Sequence, residues 1–291
     1  MDTQRIRSVI DVEALATKTV AVVGVGGGAN LCRNLVRCGV RRLKLMDMDT
    51  VSEQNICRQE HMADQIGQPK VAALASELTR INPRANVEAH EYDFRSLSDY
   101  EIAERFADAD LLLFCVDNLP ANSRGNQAAL QLGKPAVWSG LYPEGKAGEI
   151  VFWTPNHGSC YRCLCSHRYA AWEQGQASLA VSDGADVLAV QLLDSITGVI
   201  AIGLLTQGAA NRYGRLIEQL GDRQFLQIKI DPGWNWNGRD IVQEKLQIPA
   251  GNDAYFGFCS IVRRNPDPGG RCPDCVRFRS TINVKRKEMQ I

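Results

Sequence analysis

Residues 19–47 read TVAVVGVGGGANLCRNLVRCGVRRLKLMD, and this stretch decides the fold. Thr19 to Val23 is a compact β-branched run that stops at Gly24, and Ala29 to Cys38 follows with helical composition. Gly39 closes that helix, and Arg42 to Met46 makes a second strand ending on Asp47. Strand, glycine turn, helix and strand form one βαβ unit with parallel strands. The turn Gly24-Val25-Gly26-Gly27-Gly28-Ala29 fits G-x-G-x-x-G/A. Glycines let the backbone approach phosphate, the helix N-terminus offers oriented N–H groups, and an acid ending the second strand accepts hydrogen bonds from ribose. Gly24, Gly26, Gly27 and Asp47 are therefore a candidate adenine-nucleotide site. The turn alone leaves NAD and ATP both open.

Outward from this unit the alternation continues. Lys70 to Ile81 has helical spacing and stops at Asn82-Pro83, Asn86 to Ala89 is a weak strand, and Ser96 to Ala107 has helical spacing. Asp110 to Val116 is an apolar strand, Ser123 to Leu132 a helix ended by Gly133, and Pro135 to Ser139 the next strand. Such alternation predicts a Rossmann-like, mostly parallel sheet with helices on both faces. From Ile150 the pattern turns to short strands, then an apolar helix over Val187 to Leu205, then strands such as Phe225 to Ile230. That helix carries Gln191, Asp194, Ser195 and Thr197, which suits a buried core helix better than a membrane span. The whole chain, 1–291, reads as one domain, with a nucleotide-binding half over 1–150 and an extension over 151–291.

The chain has 291 residues, with 33 Lys+Arg against 33 Asp+Glu, 45% hydrophobic and 23% charged. It is too apolar for a disordered chain, and its balanced charge points away from nucleic acid held by a net positive field. Lys285, Arg286 and Lys287 read as a solvated run. The first residues mix both charges and offer no apolar signal region, so no membrane partner and a cytoplasmic location are expected. Ten cysteines in a reducing compartment are to be examined as metal ligands. Cys160-Tyr-Arg-Cys163 and Cys272-Pro-Asp-Cys275 are two C-x-x-C pairs in turn-rich settings, and four thiolates in two knuckles suit a closed tetrahedral zinc site. Cys165 follows the first pair by two residues and precedes His167 and Arg168, cations that favour its thiolate, and proximity to the knuckles is expected to keep it near the surface.

Between Asp47 and Lys70 the chain reads DMDTVSEQNICRQEHMADQIGQPK. This segment resembles the ThiF/MoeB family of ubiquitin-activating-type adenylyltransferases, whose pattern runs D-x-D-x-V-x-x-S-N-L-x-R-Q and then G-x-P-K. A second family motif, D-N-x-x-x-R, is approached by Asp117-Asn118 with Arg124 following. The resemblance extends from Thr19 to about Cys275, with Ala29 for a usual Gly and Glu53-Gln54 before Asn55 as departures. It implies that Asp47 binds ribose, that Asn55 and Arg58 lie beside the triphosphate, that Lys70 reaches the phosphates, and that Asp117, next to Asn118, lies near magnesium. It also implies ATP, magnesium and zinc as cofactors, a homodimer with Arg5 or Arg7 reaching across, and a ubiquitin-like or sulfur-carrier protein or a short peptide as partner.

Arg58, Lys70 and Asp117 suit that chemistry, because attack of a carboxylate on the α-phosphate of ATP builds negative charge that cations and a metal stabilise. An NAD-dependent oxidoreductase leaves these three unexplained. An inactive scaffold of the same fold has no need of them. The stretch before the apolar helix, from Ala177 to Val187, holds no cysteine, so covalent relay there is not expected unless Cys165 serves instead. The chain opens almost directly on the nucleotide fold, which points away from an enzyme that modifies a leader peptide.

Overall fold

The computed structural model describes residues 1–176, 184–236, 238–247, 259–264 and 271–279. Residues 177–183, in the cysteine-free stretch, and the run Lys285 to Lys287 lie outside the described residues. The strands are β1 (Thr19–Val23), β2 (Arg42–Met46), β3 (Asn86–His90), β4 (Leu111–Phe114), β5 (Ala136–Leu141), β6 (Ala147–Trp153), β7 (Arg223–Lys229) and β8 (Cys259–Arg264). They form one sheet in the order β3-β2-β1-β4-β5-β6-β7-β8. The first five are parallel, and β6, β7 and β8 each run antiparallel to the strand before. The order turns back between β1 and β4, the switch point where open α/β sheets leave a crevice beyond the carboxyl ends of their strands.

The helices are α1 (Val12–Ala16), α2 (Ala29–Cys38), α3 (Glu53–Ile56), α4 (Lys70–Ile81), α5 (Asp99–Phe106), α6 (Leu119–Leu132), α7 (Tyr161–Leu164), α8 (Ser166–Glu173), α9 (Val187–Leu205), α10 (Arg212–Leu220) and α11 (Ile241–Leu246). They cover both faces. Val20 and Val22 of β1 join a core with Leu35 of α2, Leu74 of α4 and Ala201 of α9, whereas Ala21 and Val23 face a second core with Phe106, Phe114, Trp138 and Tyr161. A strand buried on both faces needs no polar alternation, which is why β1 reads as a continuous apolar run.

Helix α9 has the length and apolarity of a membrane span, yet it packs against α2, α10, β5 and β6. Two helix starts differ from the sequence reading for local reasons. Helix α6 starts at Leu119, four residues before Ser123, because the Asn118 side chain accepts from Ala121 N at 2.9 Å and a proline sits in the first turn. Helix α5 starts only at Asp99, since Ser98 and Glu101 close a reciprocal cap there.

Candidate functional site

A cavity of about 450 Å³ opens at the switch point. Its base is the turn after β1. Gly24 has φ +86°, and a Cβ there would lie 2.6 Å from the Cys115 carbonyl oxygen, so only glycine lets the turn pass the end of β4. A Cβ on Gly27, in contrast, would meet nothing closer than 3.8 Å, so its missing side chain leaves room for a ligand to approach the backbone. Asp47, at the end of β2, braces the turn by accepting from Val25 N and from Asp49 N, each at 2.9 Å. Burial raises its pKa above the usual carboxylate range.

Every nucleotide-site residue read from the sequence lines this cavity: Gly24, Gly26, Gly27, Asp47, Asn55, Arg58, Lys70, Asp117 and Asn118. Lys70 opens α4, is only 5% exposed, and donates to Asp49 Oδ2 at 2.8 Å. Asn55 Oδ1 accepts from Ser52 N at 2.9 Å and from its hydroxyl at 3.0 Å, which closes α3. Arg124 is not part of the wall. It pairs with Asp99 at 2.6 Å and donates to Leu97 O at 2.8 Å, fastening α6 to the start of α5.

The sequence reading missed Asp194, which comes from α9, far along the chain, and also lines the cavity. Its carboxyl accepts from Leu31 N at 3.0 Å, in the first turn of α2, and burial pushes its pKa up strongly, with the charge of Glu60 adding to the shift. The signal that could have found it is an acid inside an otherwise apolar helix. Arg95 and Tyr92, beyond β3, line the mouth as well.

His61 is 4% exposed. Burial first, then the charges of Arg33 and Lys70, lower its pKa to about 4. The unfolded chain takes up this proton near the ordinary value of 6.5 and the folded chain resists until about 4. This depressed group therefore adds stability at neutral pH that is lost as pH falls through that window, on the order of 3 kcal/mol in all. Denaturant titrations of the wild type and His61→Gln at pH 7 and pH 4 should differ by that component. Equal slopes with pH would refute the assignment.

Beside the second core, the four sulfurs of Cys160, Cys163, Cys272 and Cys275 lie within 4.8 Å of one another. Individual separations are 3.4 Å (Cys160–Cys272), 3.7 Å (Cys163–Cys275) and 3.8 Å (Cys160–Cys163). A tetrahedral ion with metal–sulfur bonds of about 2.3 Å sets its sulfurs about 3.8 Å apart, so the cluster can hold a metal. Asp274, between the last two cysteines, locks the knuckles to the fold through Asn126 at 2.7 Å and Arg162 at 3.0 Å. Cys165 differs from the sequence expectation of a thiol near the surface. It is wholly buried, and Arg168 forms a buried pair with Glu149, itself bonded to Tyr142 OH at 2.6 Å.

A model of the ThiF family matches residues 3–215. The ubiquitin-like modifier-activating enzyme 5 of Oryza sativa subsp. japonica is 30% identical over 242 residues, covering 76% of this chain and 54% of that protein. The enzyme of the same name from Drosophila simulans is 35% identical over 176 residues, 56% of this chain and 43% of that protein. The chain thus spans about half the length of the curated relatives it matches. Among solved structures, MccB of E. coli with MccA-N7isoASN aligns with a TM-score of 0.64 at 13% identity, over 91% of this chain and 69% of that one. PaaA aligns with a TM-score of 0.63 at 15% identity, over 91% and 84%. These two share the fold.

Proposed function

The chain belongs to the ThiF family, and from that premise we propose that it is an ATP-dependent adenylyltransferase that activates a C-terminal carboxylate as an acyl-adenylate. The acceptor in this reading is a ubiquitin-like or sulfur-carrier protein or a short peptide. One observation carries it: Asp47, Asn55, Arg58, Lys70 and Asp117, which come from separate elements, line a single cavity at the switch point.

The division of labour follows from position. Asp47 accepts from the ribose hydroxyls, and Gly24, Gly26 and Gly27 give the phosphates close access to the main chain. A carboxylate oxygen of the acceptor attacks the α-phosphorus, the bond to the bridging oxygen breaks, and pyrophosphate leaves with the electron pair. Arg58 and Lys70 offset the charge that develops on the phosphate oxygens, with Asn55 and Asn118 flanking them. Magnesium ordinarily takes one or two carboxylates together with substrate phosphates, so Asp117 at the cavity wall fits it. When bound, the ion neutralises phosphate charge. An arginine of a second copy's N-terminal arm, Arg5 or Arg7, completes the site, while zinc in the cysteine cluster is structural.

Two observations favour this reading over its rivals. A dinucleotide seats its pyrophosphate on the helix that follows the glycine turn, and here the Asp194 carboxyl already takes the Leu31 amide in the first turn of that helix. An inactive scaffold has no use for a buried Lys70 and for Arg58 in the same wall. Because Cys165 is buried and no cysteine occurs between Ala177 and Val187, the acyl-adenylate in this reading passes to an outside nucleophile with no thioester at either place. Exchange of labelled pyrophosphate into ATP, with carrier proteins encoded beside its gene as acceptors, tests the reading. Acceptor-dependent exchange is expected, and exchange unaffected by Arg58→Ala would contradict the site.

A further inference from the structure

Arg58 and Gln59 enter the cavity wall from an irregular stretch between α3 and the short turn Ala63–Gln65. No strand or long helix sets the position of this stretch. Side chains do. The main-chain oxygen of Glu60 accepts from Arg33 Nη2, while its carboxylate accepts from Arg33 Nη1 at 3.4 Å and from Gln191 Nε2 of α9. Arg33, on α2 and 6% exposed, is held in turn by Glu77 of α4, at 2.9 Å through Nε and 2.5 Å through Nη2. The other oxygen of Glu77 accepts from Gln65 Nε2 at 2.6 Å, and Gln65 Oε1 accepts from Met62 N at 2.8 Å. The middle of the stretch and its Met62 end are thereby tied to α2 and α4 around one buried guanidinium, and Glu60 is tied directly to α9 through Gln191.

We propose that Glu60 is a positioning residue, clamped between Arg33 and Gln191, that sets where Arg58 stands in the cavity; its catalytic consequence rests on the adenylation reading. Glu60 itself does not line the cavity, so its effect passes through its neighbours. A charge-stabilising group acts through geometry, and a misplacement of about 1 Å can lower a rate by about 100-fold. The clamp also joins α9 to the stretch, and the same helix brings Asp194 to the cavity three residues after Gln191.

Two readouts test this on the full chain. Hydrogen exchange reads the clamp with no substrate present: the Arg58 and Gln59 amides, both donating to Asn55 O, should exchange about tenfold faster in Glu60→Ala and in Gln191→Ala. Pyrophosphate exchange reads the consequence. Glu60→Ala should lower kcat about 30-fold with little change in the KM for ATP, and Glu60→Gln should recover most of the loss. In an Arg58→Ala background the same change should cost less than about threefold, since residues that act through one another are not additive. Unchanged amide exchange in both alanine variants, or losses that multiply in the double variant, would overturn the proposal. A wild type that does not turn over ATP removes the adenylation reading, while the amide-exchange readout still decides the clamp.

Discussion

Replacing Lys70 by alanine is expected to lower the rate of acyl-adenylate formation by about 10² to 10³, or about 2.7 to 4 kcal/mol in the transition state, with Arg58→Ala in the same range. Lys70 is buried against the cavity, and its ammonium pairs with Asp49 at 2.8 Å. Its removal takes away the positive charge and leaves the Asp49 carboxylate facing the phosphates, so the two effects add in one direction. Single-turnover rates with saturating ATP measure it. A change below about threefold would place the lysine outside the chemistry.

The second large effect concerns the cysteine cluster. Elemental analysis should find about one zinc per chain. Replacing Cys272 and Cys275 together by serine should abolish metal binding and lower the melting temperature by about 10 °C or more, because metal-binding energy at a closed site is folding energy. The cluster joins residues 271–279 to α7, and none of its cysteines lines the cavity at the switch point. Chelation should therefore reduce stability far more than it changes ATP affinity. A well-folded protein without metal, or metal retained in the double variant, would contradict this.

The parts of the fold that were legible in the sequence are those where local chemistry and tertiary context agree. The bounds of β1, β2, α4 and α9 are those read from apolar runs stopped by Gly24, Asp47, Asn82-Pro83 and the first polar residues after Leu205. The antiparallel strand β6 was harder, since Ala147–Trp153 is buried on both faces and gives no alternation to read. That residues inside one motif frame, from Asp47 to Lys70, come together at one cavity was legible because the spacing is local. Asp194 was not, because its place beside α2 depends on how α9 packs against that helix. The same holds for Cys165, whose neighbours in sequence suggested an activated thiol but whose Arg168 is committed to Glu149. Arg124 has a motif position but is drawn away by Asp99.

The most direct test of the central claim, that the cavity at the switch point is an ATP site, is calorimetric titration of the full chain with ATP and with NAD, each with and without magnesium. Magnesium-dependent binding of ATP, weakened by Arg58→Ala and by Lys70→Ala, with NAD binding absent or far weaker, is the expected result. Tight binding of NAD with no magnesium-dependent binding of ATP would contradict it.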